Sequence, residues 1–227
     1  MKSLTEILIQ HRSSYFKIIP FRIEKSDYHL FDFTEGNEIL QAIDLNKQEE
    51  FSGYIFDSIR TNNKEYGIGK YNEDRIIYKR SQMFSDDEPR SVHLGIDIWA
   101  DAGTPIYCPL DGVIHSFANN RKHGDYGPTI ILEHELEHKK FHTLYGHLSK
   151  ESIKNLSVGQ SVDSGNLFAH FGNYNENVHW PPHLHFQIIE NMQNYKGDFP
   201  GVCKPSEKEF FLANCPNPNL ILNIEGI

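Results

Sequence analysis

The 227-residue chain is predicted to be mainly β, α+β overall: an antiparallel β-sheet core, an α/β N-terminal extension before it and a short helix closing it. Two observations point there. From residue 92 onward, short runs of β-branched and aromatic residues are cut by Gly, Pro or Asn about every ten residues, the rhythm of a sandwich or barrel. Before residue 92, apolar residues recur instead at helical spacing between short β-rich runs. The division is expected at residue 85, with 1–85 the extension packed on the core and 86–227 the β-rich unit.

Element by element, Ser3 and Glu6 form a capping box ahead of Leu4, Ile7 and Leu8, which predicts an opening helix. Residues 17–23 and 28–33 are rich in β-formers and read as strands. Residues 37–44 and 47–59 carry Ile39, Leu40 and Ile43, then Phe51, Ile55 and Ile59, at helical spacing. Residues 66–71, with two glycines, read as loop, and 74–78 as a further strand. In the second part, strands are predicted over 96–99, 106–108, 112–118, 129–133, 141–145, 160–162, 167–171 and 183–189. Ser206 and Glu209 suggest a second capping box before Phe210, Phe211 and Leu212, ahead of the Pro-rich 215–220 stretch.

Composition removes several function classes. The net charge of −9 leaves no basic face to displace counterions from phosphate, so neither nucleic acid nor an anionic membrane is an expected partner. No stretch approaches the roughly 20 apolar residues of a membrane span, and the N-terminus lacks the apolar core of a signal peptide. As the sequence stands, a cytoplasmic location is expected, or an extracellular or periplasmic one if a leader has been removed. Cys108, Cys203 and Cys215 have no CxxC spacing, which argues against a disulfide framework or thiolate metal cage and fits a reducing compartment.

The unusual count is histidine, 13 in all, of which only His11 and His29 precede residue 92. Three segments concentrate the signal: His93-Leu-Gly-Ile-Asp97, Tyr145-Gly-His147-Leu-Ser149 and His183-Leu-His185. On a strand, residues i and i+2 share a face about 6.6 Å apart, so His183 and His185 project into one pocket. His93 and Asp97 would be roughly 13 Å apart if fully extended. The chain must therefore bend between them, most easily at Gly95. Two histidines and an aspartate would make a three-ligand site with a fourth position open, the pattern of catalytic rather than structural zinc. Two further histidines nearby would supply acid/base or oxyanion-binding groups.

Taken together, residues 93–117 (HLGIDIWADAGTPIYCPLDGVIHSF), FHTLYGHLS, the VGQSVDSG turn and PPHLHFQI resemble the lysostaphin/LytM-like zinc metallopeptidases, peptidase family M23, over about residues 91–190. The resemblance implies an antiparallel β core of the duplicated-hybrid-motif type, one Zn2+ held by His93, Asp97 and His185, and His147 and His183 as catalytic groups. It also implies a peptide substrate of the peptidoglycan cross-link type. The flanking sequence, including NEDRIIYKRSQMF and the CPNPNLIL tail, is similar to a branch of the family also fused to kinase-like and class III aminotransferase domains. That branch suits an intracellular hydrolase acting on a small non-wall peptide or amide. A non-catalytic peptide-binding module is the reading from a different class, and it predicts missing ligands; none is missing.

His134-Glu-Leu-Glu-His138 matches the zincin motif, which works only on a helix. β-like sequence on both sides leaves too few residues for one, so the segment is expected at the tip of a hairpin. His115 is expected on a strand, His123, His138 and His142 in solvent, and His170 and His179 at the surface. Tyr107, Tyr126 and Trp180 are read as core and Arg90 as solvated, with substrate contact as the alternative for each.

Overall fold

The computed structural model describes residues 2–80 and 88–227; the 85/86 division lies outside the described residues. The opening helix α1 (Leu4–Gln10) forms with its capping box complete: Glu6 N donates to Ser3 Oγ and Ser3 N to the Glu6 carboxylate. Strand β1 (Tyr28–Leu30), helices α2 (Glu38–Ala42) and α3 (Gln48–Thr61), and strand β2 (Tyr66–Gly69) follow. Next come β3 (Val92–His93), β4 (Ile96–Trp99), β5 (Pro105–Tyr107), β6 (Gly112–Asn120), β7 (Gly127–Leu136) and β8 (Lys139–Gly146). The remaining elements are β9 (Ser161–Val162), β10 (Leu167–His170), β11 (His183–Ile189), β12 (Val202–Cys203), α4 (Lys208–Asn214) and α5 (Asn219–Leu222).

One eight-stranded sheet runs in the order β1-β2-β4-β11-β8-β7-β6-β9, antiparallel throughout except for the parallel β1–β2 pair. The pairs β5–β10 and β3–β12 stand apart from it. Because side chains alternate along a strand, register divides the sheet into two faces. Ile96, Ile98, Leu184, Phe186, Ile188 and Tyr145 join the main core with Leu4, Leu8, Ile18 and Ile19. Each such side chain, fully buried, contributes roughly 1.5–3 kcal/mol. The opposite face carries Asp97, Trp99, His183 and His185, and Trp99 packs there with Phe31, Phe33, Phe51 and Ile55. The amphipathic stripe of α3 is thus spent on the site-bearing face. Among the described residues, no helix is long and apolar enough to cross a membrane.

Several predicted elements differ. Residues 66–71 were expected as loop, yet β2 sits inside the sheet, pairing Gly67 with Trp99 and Gly69 with Asp97. Its glycines weaken the strand pattern but serve close approach: a Cβ at Gly67 would lie 2.3 Å from the Phe31 ring, and one at Gly69 2.7 Å from Arg75 Nη2. Residues 17–23 form no strand. Pro20 has no N–H to donate, and Ile18 makes a single backbone bond to Tyr107 while entering the core. Residues 74–78 form one bridge, Asp74 to Val92, before a 3-10 turn over Ile76–Arg80; Arg75 N and Ile76 N donate to Ser91 and Phe33, so no ladder can propagate. The second capping box does not form: Ser206 N bonds Glu88 at 2.9 Å, and α4 begins after a 3-10 turn at Pro205–Glu207. The Pro-rich tail includes a helix, α5, that composition alone did not suggest.

Candidate metal centre

Asp97 and His185 are Cα partners in neighbouring antiparallel strands, and His183 pairs with Trp99 two residues along. His93, from β3, reaches the same point because the chain bends through Gly95. The glycine is required there for space: a Cβ would lie 2.6 Å from the His185 ring and 2.8 Å from Phe186 O. His93 Nε2 is 3.0 Å from His185 Nδ1 and 3.3 Å from Asp97 Oδ1, and His185 Nδ1 is 3.2 Å from the same oxygen. A tetrahedral zinc site with bonds of about 2.0–2.1 Å has donor–donor edges of about 3.3 Å, so these three atoms are spaced as such a site requires.

The outer hydrogen bonds point the same way. His93 Nδ1–H donates to Lys70 O at 2.9 Å, and His185 Nε2–H to Gln187 Oε1 at 3.0 Å. The Gln187 amide is itself oriented by donating to Pro200 O and Cys215 Sγ. Both inward ring nitrogens are left as lone pairs beside a carboxylate oxygen, three acceptors with no proton among them. Burial, reinforced by the Arg75 guanidinium, pushes His93 down to about 3. Burial opposes ionisation of Asp97, but the Arg75 guanidinium beside it outweighs this and holds the carboxyl well below its usual range. The described residues His93, Asp97 and His185, all buried, form a group able to hold a metal ion. The donor set fits a zinc-like cation.

His183 and His147 stand beside this group. His183 Nδ1–H donates to Pro181 O at 2.7 Å, which leaves Nε2 unprotonated. Its ring stacks on Trp99 at 4.0 Å and meets the His147 ring at 3.9 Å. Burial pushes His183 down to about 4 and His147 well below its ordinary value. His147 sits at φ +62°, left-handed for a residue with a Cβ, held by bonds from its N–H to Tyr126 O and from Gly172 N to its carbonyl. Backbone strain of this kind, of order 1–3 kcal/mol, persists where surrounding contacts over-determine it and is common at working sites.

These side chains line a cavity of about 200 Å3. Tyr126 and Trp180, read from sequence as core, are buried and also form its wall; the Tyr126 ring lies 5.0 Å from that of His185. Arg90, read as solvated, lines the cavity and is partly buried. His142, expected in solvent, is buried against His115. The zincin-like motif lies on the β7–β8 hairpin, with Glu137 and His138 as its two left-handed turn residues. His134 is buried there and bonded to Asp111 O and Thr143 Oγ1, while His138 is exposed.

Sequence reasoning missed Arg75, which is fully buried and donates to Asp97 Oδ2 at 2.5 Å, and Gln187. Gln187 was within reach: it is the next same-face residue after His183 and His185 on one strand.

A buried His-His-Asp group lies beside a cavity, with His183 on β11 and His147 just past the end of β8 next to it, the arrangement a metal-binding centre would require. Residues 91–196 match the model of peptidase family M23. The peptidoglycan DD-endopeptidase ShyA of Vibrio cholerae is 27% identical over 165 residues, 68% of this chain and 36% of that protein. The glycyl-glycine endopeptidase ALE-1 of Staphylococcus capitis is 31% identical over 99 residues, 44% of this chain and 25% of that protein. The chain thus spans about a third or less of the length of these relatives. Among solved structures, the catalytic domain of lysostaphin from Staphylococcus simulans aligns with TM-score 0.41 at 24% identity, covering 66% of this chain and 93% of that one.

Proposed function

We propose that this chain is a zinc-dependent peptidase that cleaves a short peptide, of the kind found in peptidoglycan cross-links. The observation that carries the reading is the convergence of His93 Nε2, Asp97 Oδ1 and His185 Nδ1 within 3.0–3.3 Å as three proton-free donors. Zinc, when bound, supplies Lewis acidity toward a carbonyl oxygen and lowers the pKa of water. His93, Asp97 and His185 would hold it. His183, with its proton fixed on Nδ1, presents Nε2 as the acceptor that can take a proton from the attacking water. His147, 3.9 Å from it ring to ring, is placed to orient that water or to donate toward the oxyanion that develops. Trp99 and Trp180 fix the His183 ring and exclude water behind it.

The relatives' names point to peptidoglycan for the DD-endopeptidase and to a glycyl-glycine bond for the other. A second reading, a small non-wall peptide, is favoured by the walls of the cavity. Ile77, Tyr78, Tyr195 and residues 198–202 help to line a volume of only about 200 Å3. Incubating the zinc-loaded protein with purified wall fragments and, separately, with a dipeptide library decides between them. Release of new amino termini only from wall fragments supports the first reading, only from dipeptides the second. Release from neither rejects the peptidase reading.

A further inference from the structure

Asp97 has two carboxylate oxygens, and they face different ways. Oδ1 points to His93 and His185. Oδ2 accepts from Arg75 Nη1 at 2.5 Å. Arg75 comes from the segment just after β2, outside residues 91–196, and is 1% exposed. Its guanidinium is held by every neighbour: Nε donates to Glu73 Oε2 at 3.0 Å, Nη2 to Lys70 O at 2.9 Å and Nη1 also to Tyr78 Oη at 3.2 Å, while the group lies 5.1 Å over the Phe33 ring. Glycine at position 69 makes room for it, since a Cβ there would meet Nη2 at 2.7 Å. A buried guanidinium is costly unless its donors are matched. Here each of its three nitrogens is matched, and the planar fork cannot rotate without losing those bonds.

We propose that Arg75 is a positioning residue that restricts Asp97 to a single ligand oxygen. The inference rests on the metal reading above. A free carboxylate can bind a cation through one oxygen or both, and a second oxygen would fill the position a reacting group needs at an open site. By occupying Oδ2, Arg75 keeps that position open. The same segment supplies Lys70 O to His93, so two of the three donors are aimed by residues outside the family-matched segment.

The test uses the full chain loaded with Zn2+ or Co2+. X-ray absorption of the wild-type zinc protein should show four-coordination with one carboxylate oxygen; a carboxylate bound through both oxygens overturns the proposal without any variant. In Arg75→Gln, the Co2+ visible spectrum should lose the intensity of a four-coordinate site as the second Asp97 oxygen joins. Arg75→Lys, which keeps one donor toward Oδ2, should recover it. If Arg75→Gln unfolds, the wild-type coordination and the Arg75→Lys spectrum still decide. A residue that serves only stability would lower the melting temperature of Arg75→Gln and leave the spectrum unchanged, which overturns the proposal while the metal reading stands. Failure of the wild type to take up one equivalent of metal overturns both.

Discussion

Asp97 and His185 are directly opposed across the β4–β11 ladder, and their side chains meet at 3.2 Å on the face turned away from the main core. Two strands that share one ladder thus deliver a carboxylate and an imidazole to one point without any loop having to order itself. If a cation holds these groups in the native state, its removal should be felt as stability. At a free zinc concentration 100 times Kd, binding adds about 2.7 kcal/mol, which for a chain of this size corresponds to roughly 5–10 °C in melting temperature. Calorimetry before and after chelation measures it. An unchanged transition removes zinc from the native state, and His185→Ala should lose both the bound metal and the shift.

His147 provides the separate test of chemistry. It touches His183, not the three converging donors, so His147→Ala should retain one equivalent of metal and lose turnover by about 10²–10⁴-fold, the usual contribution of a positioned acid or base. Metal analysis alongside single-turnover kinetics separates the two properties. Full activity excludes His147 from the mechanism.

Gly95 should be nearly as sensitive as a ligand. In Gly95→Ala the new methyl would sit 2.6 Å from the His185 ring and 2.8 Å from Phe186 O, neither of which can yield without moving β11. Displaced ligand geometry typically costs about 10–100-fold in metal affinity. Competition with a chromophoric chelator reads this directly, and wild-type affinity would show that the glycine matters only for the bend.

His134, in the zincin-like stretch, should behave as a structural residue. Burial pushes its imidazole down to about 4, against an ordinary value near 6.5 in the unfolded chain. Between about pH 6.5 and 4 the unfolded state therefore binds more protons, and stability falls as the pH drops through that window. His142, also pushed down to about 4 by burial, adds to the slope. His134→Ala should flatten the slope in part and cost about 1–3 kcal/mol at neutral pH, because the Asp111 carbonyl loses its donor. Urea unfolding at several pH values tests both effects, and metal content should not change.

Local pattern was readable where the physics is local. Short β-rich runs bounded by Gly, Pro and Asn located β4 and β11 with their observed ends, and the two-residue period of a strand placed His183 and His185 on one face. Helical spacing found α3 and the capping box found α1. Two of the misreadings share a cause, a tertiary contact that overrode local chemistry. The glycines of β2 signal a loop, but they are tolerated in a central strand because Phe31 and Arg75 fill the space above them. Ser206 has the spacing of a cap, but Glu88, distant in sequence, takes its hydroxyl and backbone N–H.

Residue type, order and strand period, all present in the sequence, determined the mainly β character of the second part and the candidate set His93, Asp97, His147, His183 and His185. The distances among them were left to the tertiary structure, as were the direction of each ring nitrogen and the occupation of Asp97 Oδ2 by Arg75, 22 residues earlier. The reason is that face assignment follows from the pleat of a single strand. Pairing register, and which buried charge meets which, depends on chain segments whose proximity no local pattern encodes.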